Sequence, residues 1–388
     1  MSDCFDRNQL KYLATVKNYL VEPSLPPENY FAAWVVIPVF AELIALPATL
    51  KSLAAAFAYT DETAAVLLVV NNMSNSAPGG KKENLQLLAQ LRGGDFPGGN
   101  GLRAGKNLFW LDCASPEREL SKGGVGMARK IGLDNVLKSI RRADGVLFSL
   151  DADTLVPENY VSEVLSEFRK NPDWAGAVLN FQHQLPDAAA ARRAVINYET
   201  YIKDYYQKLC YANSPYAFWA LGSAIATPWA EYIRSGGMRV REAGEDFYFL
   251  QALRKIGVIG VIDSVVVHPS GRFSDRVPFG TGRKVEGVVR GEERIELFPL
   301  EPFNELKKVF LGVESAGEIS FFEHLPENLL KLSGENFRLF LRENNFAAAW
   351  TKIFPNTPRK LPSQRQAFHC WFDGLKTLQF VRNYCLKK

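Results

Sequence analysis

The sequence predicts an α/β protein built on a parallel sheet and followed by a helical appendage. Three observations carry this. Apolar runs of strand length, such as Trp34–Phe40, Ala65–Val70 and Val146–Leu150, each end in polar residues. The segments between them are spaced as helices and joined briefly, which is how parallel strands are connected. Beyond Glu292 helical patterns alternate with prolines and no strand run recurs.

Taken in order, Asp6–Val21 reads as a short amphipathic helix, and a proline-rich joint, EPSLPPENY, follows. Trp34–Phe40 is a buried first strand in which Pro38 sits near the end, where a missing N–H is tolerated. Leu43–Tyr59 is an Ala- and Leu-rich helix, and Ala65–Val70 the second strand, ending in Asn71 and Asn72. Residues 77–105 are glycine-rich and polar, so an inserted loop is expected, with a helical piece over Glu83–Arg92. Asn107–Asp112 is a third strand and Gly126–Lys138 a helix. The next strand runs into Asp151-Ala-Asp153, and a helix over Pro157–Lys170 and a strand over Ala175–Asn180 come after it. Asp187–Tyr211 is helical, Glu245-Asp246 opens a helix ending near Gly257, and Val258–Val267 is the last strand. Pro269–Arg290 is expected as a Gly- and Arg-rich loop. The resulting division is an arm over 1–30, a catalytic domain over 31–291 and a mainly helical appendage over 292–388.

The composition narrows the function classes. Among 388 residues, 47% hydrophobic and 23% charged is ordinary for a globular chain. Forty-six Lys plus Arg against 42 Asp plus Glu leave a net charge of +4, too little to argue for nucleic acid. The five cysteines contain no Cys-x-x-Cys pair, which points away from zinc or a disulfide framework and towards a reducing compartment. The start is polar, without a signal-peptide core, and no apolar run reaches the ~18 residues of a membrane helix. The expectation is a soluble, cytoplasmic protein. The aromatic, terminally basic end, residues 368–388, suits either packing against the catalytic domain or a second subunit, or a peripheral contact with an anionic membrane, and packing of that kind is favoured.

The chemistry centres on Asp151 and Asp153. If the strand geometry continues, both carboxylates leave on one face, where they repel unless something neutralises them. Mg²⁺ or Mn²⁺ does so and takes its remaining ligands from phosphates. The alternative is a polar loop with Asp153 capping the helix after it. Glu245 and Asp246 stand at a helix start, where carboxylates cap N–H groups or act as a general base. His268 ends a strand and is a candidate Mn²⁺ ligand. Arg272, Arg276 and Arg283 in the following loop are candidate clamps for a diphosphate, or a solvated face. Two glycine-rich stretches are decoys. GGVGMARKIG has Arg129 in place of the third fingerprint glycine, and GLRAGKN lacks the first Gly and the Ser or Thr of a phosphate loop.

In order along the chain stand VIPVFAE, VVNNMS, a K-G-G-x-G-x-A-R helix, LDAD, a G-S-x-x-A segment and GGM…GED. This series, over about Trp34 to Gly271, resembles family 2 of the glycosyltransferases, which have the GT-A fold: a mixed, mostly parallel sheet flanked by helices. The resemblance implies a nucleotide-diphosphate sugar donor and an acceptor it does not identify. It puts the nucleotide on Pro38, Val39, Glu42 and Asn71 or Asn72, with Arg129 near the base and Asp151 near the ribose. It also implies that Asp153 is on the metal, that Asp246 takes the acceptor proton in inverting members, and that His268 matches a late metal-binding His. This chain departs from the pattern in three places. Asn71-Asn72 replaces the common Asp-Asp, Ala-Arg-Lys replaces Ala-Arg-Asn, and the Gln-x-x-Arg-Trp signature of processive synthases is missing. A non-processive transferase is therefore expected. Two other classes share features of this pattern. A sugar-phosphate nucleotidyltransferase would begin with a G-x-G-T-R loop, which PVFAEL is not. A non-catalytic sugar-nucleotide-binding protein would not need intact Asp151, Asp153 and Asp246.

Overall fold

The computed structural model describes residues 6–25, 31–96, 101–138, 140, 142–241, 244–272 and 281–386. They form two compact units: residues up to Ile196 with Ala220–Glu293, and Asn197–Trp219 with Arg294–Lys388.

The first unit holds an eight-stranded sheet. Its strands are β1 (Val21–Glu22), β2 (Ala33–Val39), β3 (Ala64–Asn71), β4 (Leu108–Cys113), β5 (Val146–Ser149), β6 (Trp174–Phe181), β7 (Ile225–Pro228) and β8 (Val258–Val267). Their spatial order is β1-β4-β3-β2-β5-β7-β6-β8. β4, β3, β2 and β5 are mutually parallel, as are β6 and β8, while β1 and β7 pair antiparallel to their neighbours. The sheet is thus mixed and mostly parallel, with helices packed on it. Every residue of β2 and β3 is buried, as expected of strands covered on both faces. Pro38 is tolerated because β5 pairs with β2 only as far as Val36, so no ladder bond is lost on that side.

The helices are α1 (Arg7–Thr15), α2 (Leu46–Ala58), α3 (Pro78–Gly93), α4 (Gly124–Leu137), α5 (Tyr160–Lys170), α6 (Ala189–Tyr211), α7 (Trp229–Arg234), α8 (Glu245–Arg254) and α9 (Thr281–Val289). α1 starts in a capping box made by Asp6 and Gln9. Tyr12 of α1 and Tyr232 of α7 each donate a 2.8 Å hydrogen bond to Asp134 of α4. α4 lies against β2 and β3 so tightly that a Cβ on Gly132 would stand 2.3 Å from Val36 and 2.8 Å from Val69. Gly132 thereby sets the height of α4, and Arg129 lies one turn before it.

Two expectations are corrected. The helical piece expected over Glu83–Arg92 within 77–105 is longer than that: the four-turn helix α3 starts at Pro78, buries Asn84, Leu87, Leu88 and Leu91 and ends at Gly94 in the left-handed conformation. The presumed loop over 269–290 contains α9, whose Val285 is fully buried. β1 and β7, two and four residues long, are too short to show a period.

The second unit is helical: α10 (Glu301–Ser315), α11 (Ile319–Glu323), α12 (Leu325–Leu332), α13 (Glu335–Glu343), α14 (Phe346–Ile353), α15 (Leu361–Trp371) and α16 (Gly374–Leu386), together with the last part of α6. Its core is aromatic, with Phe303, Phe310, Phe337, Phe368, Phe372 and Phe380 all 0–1% exposed. The aromatic end of the chain therefore packs into the core of its own unit. Among the described residues no helix is long and apolar enough to cross a membrane. Cys113, at the end of β4, is buried, and burial with the nearby Asp112 charge pushes its thiol up to about 12. Cys210 is exposed, and Cys370 and Cys385 are half-buried.

Candidate active site

The chain leads from β2 outwards through β3 to β4, then returns to place β5 on the other side of β2. The crevice beyond the carboxyl ends of β2 and β5 is thus a topological switch point, the place where open α/β sheets bind ligands. Residues 40–43 follow β2, Asn71 and Asn72 end β3, and Asp151–Asp153 follow β5.

The turn after β2 is held from α3. Ala41 has a positive φ of 54°, uncommon for a residue with a side chain. Its N–H donates to Asn84 Oδ1 at 3.0 Å, and the Leu43 N–H donates to Glu83 Oε1 at 2.7 Å. Asn84 Nδ2 in turn donates to the Asn71 carbonyl at 3.0 Å and to Asn72 Oδ1 at 2.8 Å. Asn72 also donates to the Ala114 carbonyl at 2.8 Å, so its amide is committed to the scaffold. Asn71 differs: its Oδ1 is buried with no hydrogen-bond partner among the described residues. An acceptor in that state gains from an incoming N–H.

The strand geometry does not continue through Asp151 and Asp153. β5 stops at Ser149, and the carboxylates follow in a turn, with Ala152 pinned through its carbonyl by Thr49 Oγ1 at 2.9 Å. Each carboxylate meets its own guanidinium. Arg129 Nη2 donates to Asp151 Oδ1, and its Nη1 donates to Glu245 Oε1. Arg272 Nη2 stands 2.9 Å from Asp153 Oδ2 and also donates to Glu42 Oε1. Arg129 is only 4% exposed. It bridges the turn after β5 to the first residue of α8. Gly222 makes this geometry possible, because a Cβ there would lie 2.6–2.7 Å from three guanidinium atoms.

Asp246 follows Glu245 in the first turn of α8, where the exposed N–H groups favour negative charge. The Phe247 N–H donates to its Oδ1 at 2.7 Å. Burial raises the Asp246 carboxyl above the ordinary range, Asp151 adds to this, and Arg129 opposes it. Glu245 is also raised, chiefly by burial, with Arg129 opposing and Asp246 adding. A half-buried carboxylate raised this way is a better base than one in water.

His268 pairs through its backbone with Leu155, two residues beyond Asp153, in bonds of 2.8 and 3.0 Å. Gln184 Nε2 donates both to the Asp153 carbonyl, at 2.9 Å, and to that of His268, at 2.6 Å. One amide therefore ties the two residues. His268 Nδ1 is 3.0 Å from the Gln182 carbonyl. A carbonyl only accepts, so Nδ1 carries the proton and the lone pair is on Nε2, the arrangement usual for a metal-binding His. This donor set fits Mg²⁺ or Mn²⁺, with a carboxylate from Asp153 and an imidazole from His268. Among the described residues no three His, Cys, Asp or Glu side chains gather as metal donors, so water and phosphate would complete the shell.

Pro38 and Val39 close β2, buried against β3. Arg283 pairs within its own helix, 3.9 Å from Glu286. Arg276 lies outside the described residues. Sequence reasoning missed Asn84, Glu83 and Gln184, and it met Gly222 only as the start of the G-S-x-x-A segment, without its place beside Arg129. Asn84 had a signal: it falls on the helical stripe of Leu87, Leu88 and Leu91, so it had to be buried and bonded.

Among solved structures the chain is similar to residues 1–349 of TarS from S. aureus, a complex with UDP-GlcNAc. The identity is 13%, the match covers 88% of this chain and 91% of that one, and the TM-score is 0.44. It is also similar to the mannosyltransferase PcManGT from Pyrobaculum calidifontis, in complex with GDP-Man and Mn²⁺, with 14% identity, 96% and 94% coverage, and a TM-score of 0.39. No protein-family model matches the chain, and no curated protein matches it.

Proposed function

We propose that this chain is a GT-A-type glycosyltransferase that moves a sugar, a hexose in the favoured reading, from a nucleotide-diphosphate donor to an acceptor hydroxyl. The observation that carries this is the Arg129 bridge between Asp151 and Glu245. It joins the carboxylate turn at the switch point to the helix start bearing Asp246, so a candidate donor site and a candidate base belong to one crevice. The motif series of the sequence supports the same reading.

Asn71 and the turn after β2 would receive the nucleotide, with Asp151 held towards the ribose by Arg129. Asp153, with His268, would hold Mg²⁺ or Mn²⁺, which when bound offsets the negative charge growing on the departing diphosphate. Asp246 would take the proton of the acceptor hydroxyl as its oxygen attacks the anomeric carbon from the face opposite the diphosphate. The carbon–oxygen bond to the diphosphate breaks as the new one forms, and the configuration inverts. Glu245, already engaged by Arg129, acts as a positioning residue.

The test is a panel of nucleotide sugars, scored by thermal shift and by hydrolysis or transfer, with Mn²⁺, Mg²⁺ or chelator. The expected result is metal-dependent turnover of one donor, lost in Asp153→Asn with unchanged circular dichroism. Full activity in excess chelator would remove the metal from the scheme, and no donor shifting the melting temperature would overturn the assignment.

A further inference from the structure

The contacts of Arg272 carry an inference beyond donor binding. A single nitrogen, Nη2, touches both Asp153 and Glu42. These carboxylates come from different strand ends, one after β5 and one after β2. A positive charge thus already sits against the carboxylate assigned to the metal. The two partners differ in freedom: the Glu42 side chain is 7% exposed, whereas that of Arg272 is 39% exposed. Glu42 is thus a fixed anchor, and the guanidinium has room to turn. The Arg272 Nε–H is buried with no hydrogen-bond partner among the described residues. Nε and Nη2 together form the planar edge that binds a phosphate through two parallel hydrogen bonds.

We propose that Arg272 is a place-holding cation, which neutralises Asp153 until a divalent ion takes that carboxylate and which is then released to the diphosphate of the donor. The proposal rests on the reading of Asp153 as the metal carboxylate. An ion arriving alone must displace a unit charge from Asp153 and leave it with Glu42 as its one remaining anion of the pair, so a second anion is wanting. An ion arriving with a nucleoside diphosphate supplies that anion. Ion and nucleotide therefore favour each other's binding, and Arg272 is the source of the coupling.

The experiment measures Mn²⁺ affinity of the full chain from the electron paramagnetic resonance signal of free Mn²⁺, alone and with saturating UDP or GDP. Wild type should bind Mn²⁺ at least about tenfold tighter with the matching nucleoside diphosphate than without it. Arg272→Gln should bind Mn²⁺ alone at least about tenfold tighter than wild type, because the competing charge is gone. Its coupling to the nucleotide should shrink to less than about threefold. Arg272→Lys keeps a cation and should stay close to wild type. Unchanged or weaker Mn²⁺ binding by Arg272→Gln without nucleotide would overturn the proposal. Asp153→Asn separates the two readings. If it loses Mn²⁺ binding while Arg272→Gln is unaltered, only the place-holding role falls. If it binds Mn²⁺ as wild type does, or if wild type binds none in any state, the metal reading falls and takes this proposal with it.

Discussion

Asp246 is the residue at which catalytic and structural roles give opposite signs. Its raised carboxyl means that the folded protein holds a proton more tightly there than the unfolded chain does. In the window between the unfolded and folded values, stability therefore falls as pH rises, and above the folded value the ionised group is a standing cost. Asp246→Asn removes that cost and keeps the shape. The expected outcome is a higher melting temperature together with a loss of roughly 10²–10⁴-fold in turnover, and little change in donor affinity. A structural capping role would leave turnover intact, because Asn caps a helix about as well as Asp. The base must be ionised to work. The acid limb of turnover against pH should then lie above the ordinary Asp value of about 3.9 and disappear from the residual activity of the Asn variant. His268→Ala should weaken Mn²⁺ and donor binding together, with activity partly restored by added Mn²⁺. An unchanged Mn²⁺ requirement would return His268 to a purely structural position.

The elements explain why these side chains meet. α3 places Asn84 where it closes three hydrogen bonds to two segments, the turn after β2 and the end of β3, so Asn84→Ala removes a partner from a half-buried N–H and from two carbonyl oxygens. The expected cost is about 1–3 kcal/mol in chemical denaturation, with a raised KM for the donor, because the turn after β2 loses its support. Gly222→Ala should push the Arg129 guanidinium aside, and it is expected to lower kcat while the fold survives. The central strands were legible because β2 and β3 are continuous apolar runs with polar ends. α3 was legible only over Glu83–Arg92, since Gly79 and Gly80 stand in its first turn, and glycine there reads as loop. β7 escaped because a four-residue strand has no measurable period, and it is the element that makes this side of the sheet antiparallel. Of the site, the carboxylates were legible as residue types at strand and helix ends. Their partners were not: an arginine at position 129 or 272 announces a positive charge but not which acid it will face.

Across the whole molecule, each unit carries its own buried core, one built from a sheet and aliphatic side chains, the other from phenylalanines. Phe372, which contacts the rings of Phe310, Phe337, Phe340 and Phe368, is central to the second core. Phe372→Ala should cost that unit about 3–5 kcal/mol, read as a lowered calorimetric transition, while nucleoside-diphosphate binding by the sheet unit persists at lower temperature. The cysteines follow the same division. Cys113, inside the sheet unit, is buried and protonated at neutral pH, so a maleimide will not react with it. Cys210, Cys370 and Cys385 all belong to the helical unit and are at least partly accessible. After Cys4→Ser, a fluorophore or spin label attached without further engineering would report on the helical unit alone and leave the crevice beyond β2 and β5 chemically untouched.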